Sequence, residues 1–161
     1  MQQDFIREFQ ETVIQVNRVS KKTKGGNQLR FSVLVVVGDR KGKVGAGLGK
    51  AADVVSGIQK AIAYAKKHFI EVPMKGNTIP YDIRVKHGAA EVLLKPAPAG
   101  SGIIAGGALR AVFEAAGIKD IVAKILGSNN KVTNVYAALA ALREIAELSH
   151  VVKSPKKEGE Q

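Results

Sequence analysis

The sequence predicts an α+β protein: a β-β-β-α unit over residues 5–72, then a two-layer β-β-α-β-α unit over 73–149, with a polar tail at 150–161. Three observations carry this. Strand-like runs occupy the stretch before residue 50; the apolar period switches to 3.6 just after it; and strand patterns restart beyond a break at VPMKGN, residues 72–77. The length of 161 residues suits one ordinary domain or two small ones of about 70 residues each. A hydrophobic content of 45% is enough to bury a core.

In residues 12–18, Ile14 and Val16 alternate with Gln15 and Asn17, which predicts a strand. SKKTKGGNQ, residues 20–28, reads as a polar loop containing glycine. RFSVLVVV, residues 30–37, is rich in β-branched side chains and predicts a central strand. GDRKGK, residues 38–43, is a turn, and residues 44–48 form a third strand weakened by its glycines. From Ala51, the residues Val54, Val55, Ile58, Ala61, Ile62, Ala65 and Phe69 share one helical face, with Lys60 and Lys67 on the other.

In the second half, Ile79, Tyr81, Ile83 and Val85 alternate over residues 78–85. A tight turn at Lys86, His87 and Gly88 leads to a strand at 90–95. PAPAGSGIIAGG, residues 96–107, is a Pro/Gly loop. Ala108, Leu109, Val112, Phe113 and Ala116 then form a helical stripe ended by Gly117. A short apolar run at 121–126 reads as a strand and opens at Asp120. Val135, Ala138, Leu139, Leu142 and Ala146 mark the last helix, and KSPKKEGEQ is a polar, disordered tail.

Composition excludes several functions. Cys is absent, so no disulfide, Cys-ligated metal or Cys nucleophile is available. The longest uncharged stretch, residues 96–109, falls short of the about 20 apolar residues a bilayer needs. The start, MQQDFIREFQE, lacks an apolar signal region and carries acids early, so a soluble, intracellular protein with no membrane partner is expected. The net charge is +11, which points to a polyanionic partner. Residues 18–50 hold nine basic side chains against Asp39 alone, so the polyanion site is expected in the first half.

No catalytic set emerges. Gly42, Gly45, Gly47, Gly49 and Lys50 precede a helix and invite a phosphate-loop reading. Val44 stands where the first glycine of a nucleotide loop belongs, and Ala51 replaces the hydroxyl residue that holds magnesium. Two readings of these glycines stand: tight strand-to-helix packing, or close approach of backbone to RNA phosphates. Gly100, Gly102, Gly106 and Gly107 read as a turn that lets another chain come close. The three histidines are scattered without metal-protease spacing, and Glu144 with Glu147 forms a solvated helix face beside Arg143. A non-enzyme without cofactor, metal or small-molecule substrate is expected.

Arg18, Lys21, Lys22, Lys24, Arg30, Arg40, Lys41, Lys43 and Lys50 form the basic set. If the first two strands pair, the loop between them projects from one end of the sheet and the 38–43 turn sits at the other. Net +8 within 33 residues exceeds what solubility needs. Only Phe31 is aromatic in this window, so base stacking is not the main mode there. Lysines, arginines and glycine-rich backbone favour recognition of phosphates and shape in folded RNA. The β-β-β-α order is itself similar to the core of a double-stranded-RNA-binding domain.

The run GNQLRFSVLVVVGDRKGKVGAGLGKAADVVSGIQKA, residues 26–61, resembles the signature of the bacterial family of small-subunit ribosomal protein five. The matching positions include Gly26, Phe31, Gly38-Asp39, Gly45, Gly47, Gly49-Lys50-Ala51 and Ile58-Gln59-Lys60-Ala61. Upstream, Asn17-Arg18-Val19-Ser20-Lys21 and Lys24-Gly25-Gly26 also match. So do Gly102-Ile103-Ile104-Ala105-Gly106-Gly107, Arg110-Ala111-Val112 and Gly127-Ser128 in the second half. Asp53, Val55, Gly57 and Lys131 depart from the usual Glu, Pro, Ala and Asn-Pro continuation.

The resemblance implies a cytoplasmic, ribosome-bound protein, a structural component of the small ribosomal subunit that binds small-subunit rRNA and contacts neighbouring proteins four and eight. It would lie near the path by which mRNA enters and affect decoding accuracy. The second domain would carry a left-handed crossover. The loop holding Arg18, Lys21, Lys22, Lys24, Gly25 and Gly26 matches the family's projecting rRNA loop. Gly102, Ile103, Ile104, Gly106, Gly107 and Arg110 match the region facing protein four and nearby rRNA. Arg30, Arg40, Lys41, Lys43 and Lys50 would add phosphate contacts. The alternative is a free regulator that binds double-stranded RNA.

Overall fold

A computed structural model describes residues 9–153. The order is β1 (Gln10–Thr23), β2 (Gly26–Gly38), β3 (Lys43–Ala51), α1 (Val54–Lys67), β4 (Ile70–Glu71), β5 (Ile83–His87), β6 (Ala90–Pro96), β7 (Ile103–Ile104), α2 (Gly107–Ala116), β8 (Ile121–Ile125) and α3 (Lys131–Lys153). Two four-stranded sheets result, ordered β1-β2-β3-β4 and β5-β6-β8-β7. All neighbours are antiparallel except β7 and β8, which run parallel with α2 between them in sequence.

The α+β class and the β-β-β-α opening agree with the sequence; several bounds do not. The stretch expected as a 20–28 loop is strand: β1 and β2 stay paired down to Thr23 and Gly26, leaving only Lys24 and Gly25 in the turn. A ribbon with solvent on both faces needs no apolar alternation, so periodicity could not detect it. The helix starts at Val54 rather than Ala51, because Asp53 caps it: its Oδ2 accepts from the Ser56 N–H at 3.2 Å. Strand β5 starts at Ile83, later than expected. The alternation upstream still orders burial, with Ile79 inside and Asp82 outside, but Pro80 offers no amide to a ladder. The expected Pro/Gly loop contains β7. Helix α3 starts four residues before Val135, where the Asn130 Oδ1 accepts from the Val132 N–H at 3.1 Å. The expected tail lies, beyond Lys153, outside the described residues.

Strand β2 divides its side chains between two cores. Val33, Val35 and Val37 pack with Ala61 and Ala65 of α1. Leu34 and Val36 join Val44 and Ala46 in a larger core with Val92, Leu109, Phe113 and Leu142 of the second half. The first sheet is therefore covered on both faces over this half of its length, and the two halves of the chain share one interior.

Candidate nucleic-acid interface

Beyond the covered half, β1 and β2 continue alone. Every residue from 16 to 30 is exposed. The register pairs Arg18 with Phe31, Ser20 with Leu29 and Lys22 with Asn27, placing these on one face. Val19, Lys21, Gln28 and Arg30 lie on the other. Lys24 sits in the turn, where the Thr23 hydroxyl donates to the Gly26 carbonyl at 2.8 Å and Gly26 takes a φ of 127° that favours glycine. The ribbon projects roughly 25 Å by the usual strand rise. It carries five cations and no carboxylate. Val16, Val19 and Leu29 are exposed among them. Such a surface can hold phosphates on either face and cover apolar sugar or base edges between them.

Lys50 belongs to this end. It pairs opposite Ser32, on the Arg30 face, and its carbonyl accepts from the Lys60 Nζ at 3.4 Å. Arg40, Lys41 and Lys43 do not. They occupy the opposite end of β2, roughly 40 Å from the ribbon's tip by strand rise. Their side chains are exposed, but the turn's backbone is docked on α2. The Arg40 N–H donates to the Ala115 carbonyl at 3.0 Å and the Gly42 N–H to the Ala116 carbonyl at 2.9 Å. Asp39 Oδ1 accepts from the Lys41 and Lys43 amides at 2.8 and 3.0 Å. Arg40 takes a positive φ of 59° and hydrogen-bonds through Nε to Gln10 Oε1. Lys43 lies 3.9 Å from Glu71. The basic set is thus split between a free ribbon and a structural turn.

The glycine motif has a packing role. Gly45, Gly47 and Gly49 pair with Val37, Val35 and Val33 and so lie on the β3 face that carries α1. A Cβ on Gly47 would stand 2.1 Å from the Ala61 carbonyl, and one on Gly49 would stand 2.2 Å from that of Gly57. The helix backbone rests on the strand backbone, leaving no room for an RNA phosphate at these positions. Of the two readings, tight strand-to-helix packing holds. The anion site at the helix start is filled by Asp53, whose carboxyl is held below its ordinary value by the hydrogen bonds from Ser56. The detectable signal was glycine at every second position, followed by Gly57, Ala61 and Ala65 at helical spacing.

The 102–110 segment is anchored by a residue that the sequence marks only as a strand opener. Asp120 is buried, and its Oδ1 accepts from the Gly102 N–H at 2.9 Å. The Gly102 carbonyl accepts from the Ile121 N–H at 3.2 Å. Ile103 packs against the core while Ile104 faces solvent. Gly106 precedes α2, Gly107 opens it, and exposed Arg110 pairs with Glu114 at 3.1 Å. This surface offers one apolar side chain and an internally paired arginine, unlike the ribbon. Among the described residues no helix is long and apolar enough to cross a membrane.

Comparison with protein families adds two findings. Residues 9–73 match the family described as ribosomal protein S5, N-terminal domain. Residues 85–154 match ribosomal protein S5, C-terminal domain. Together they cover 135 of the 161 residues.

Proposed function

This chain belongs to the ribosomal protein S5 family, a structural and non-enzymatic component of the ribosome, and we propose that it is held on small-subunit rRNA by its β1–β2 ribbon. The observation that supports this reading is the ribbon itself. A two-stranded hairpin is marginal alone in water, yet this one extends well past its core and concentrates Arg18, Lys21, Lys22, Lys24 and Arg30 there. Folded RNA supplies both the counter-charge and the missing cover. Gly25 and Gly26 keep the tip thin enough to follow an RNA surface, and Lys50 adds a contact at the ribbon's root. Arg40, Lys41 and Lys43 act at most as an outlying second contact.

In the same reading, the surface of Gly102, Ile103, Ile104, Gly106, Gly107 and Arg110 faces the neighbouring protein four, and another surface meets protein eight. Residues 5–72 act as the RNA-binding domain and 73–149 as the contact domain. The bound protein lies beside the incoming mRNA, where it supports decoding accuracy in the cytoplasm.

The test is co-sedimentation with small ribosomal subunits through rising salt. Replacing Lys21, Lys22 and Lys24 by Ala is expected to reduce the slope of log affinity against log salt by about 2–3, from 0.7–0.9 per phosphate contact. An unchanged slope overturns the ribbon assignment. Equal affinity for any RNA duplex, with no retention on subunits, would favour the free duplex-binding regulator.

A further inference from the structure

A groove of about 240 Å³ lies between α1 and α3, and no residue of the ribbon or of the 102–110 segment lines it. Its walls carry Tyr64 and His68 from α1, His87 from the end of β5, and Tyr136 and Arg143 from α3. Two of the chain's three tyrosines and two of its three histidines therefore meet at one place, although they span residues 64–136. Tyr64 and His68 stack with ring centroids 4.1 Å apart, and His68 Nδ1 is fixed 2.9 Å from the Tyr64 carbonyl. Across the groove, His87 and Tyr136 lie 6.4 Å apart at a tilt of 35°. The floor is aliphatic, from β3, β4 and α3. Arg143 is exposed and makes no ion pair among the described residues.

We propose that this groove takes one unstacked nucleotide of an RNA chain, its base against the rings and its phosphate on Arg143. Ring faces and an apolar floor suit a flat heterocycle, and aromatic stacking is how proteins hold splayed-out bases. A guanidinium at the rim, without an ion pair among the described residues, suits the phosphate on the same nucleotide. The volume falls below the about 300–1,000 Å³ typical of sites for drug-sized ligands, so a single ring system fits. Burial, with Tyr64 nearby, pushes the Tyr136 hydroxyl above its ordinary value. No carboxylate lines the groove.

This inference rests on the RNA-binding reading but is tested apart from it. Adenosine monophosphate is titrated into the full chain while the tyrosine and histidine ring signals are followed by NMR, with ribose 5-phosphate as the control. The expected result is saturable shifts of Tyr64, His68, His87 and Tyr136, with Tyr81 as the unmoved reference and little response to ribose 5-phosphate. Tyr64 is 46% exposed, so Tyr64→Ala keeps the fold. That variant should weaken binding about 5-fold or more. Groove rings that do not move, equal shifts from the base-free control, or unchanged affinity in Tyr64→Ala would each overturn the site. A lost ribbon assignment would show in the salt slope and leave these shifts in place.

Discussion

The two halves of β2 share one hydrogen-bond ladder and almost nothing else. From Val33 to Val37 each side chain is fully buried, alternately beneath α1 and against the second domain. From Gly26 to Arg30 every side chain is in water. In the first stretch burial stabilises the strand, at about 1.5–3 kcal/mol for a fully covered apolar side chain. In the second, only the ladder to β1 and the Lys24-Gly25 turn hold the backbone. Substitutions therefore fall into two classes on one strand. Buried positions report on folding, and on the proposed reading ribbon positions report on binding.

The strongest way to break this contrast is at the helix seat. Gly47→Ala forces a Cβ into the Ala61 carbonyl, and neither backbone can rotate away. A loss of about 3 kcal/mol or more is expected in urea unfolding. A loss under about 1 kcal/mol would mean that α1 does not rest on β3 as described. Gly57→Ala is gentler. Its Cβ would meet Val33 Cγ2 at 3.0 Å, against a helix gain of about 1 kcal/mol over Gly. Val33 is β-branched and buried, so the neighbour cannot swing aside. A net loss of about 1 kcal/mol is expected, and a clear gain would show slack in that contact.

The ribbon should behave in the opposite way. Replacing Lys21, Lys22 and Lys24 by Ala should change unfolding stability by less than about 0.5 kcal/mol while flattening the salt dependence of subunit binding. Smallest is the cap of α1. The Asp53 carboxyl titrates below its ordinary 3.8, so its contribution is present above that pH and fades as pH falls through the lowered folded value. Acid titration of stability should show a small extra decline below about pH 3.8 that Asp53→Asn lacks. Parallel curves would remove the carboxylate from the cap.

Legibility in the sequence followed local period. The β-branched run of β2, the α2 stripe and its stop at Gly117, with a left-handed φ of 87°, were all readable. So was the in–out order of Ile79 and Ile83, although part of that segment joins no ladder. Strands β4 and β7 were not readable, because two residues each are held only by partners distant in sequence. Among the basic residues, the tip cluster was visible as charge density. The division between tip and turn was not, since it depends on α2 capturing the amides of Arg40 and Gly42. The groove was invisible for a related reason. Tyr64 and Tyr136 meet only after the two halves dock, and no local pattern encodes that docking.

The solvated ribbon also bears on the lifetime of unassembled protein. Lys21, Lys22 and Lys24 lie within four residues at the end of a ribbon exposed on both faces, where local opening costs little. A protease that cuts after basic residues would find accessible lysines there, and a bound RNA would cover them. On the proposed reading, copies made in excess of rRNA would leave exposed the same lysines that a bound copy covers.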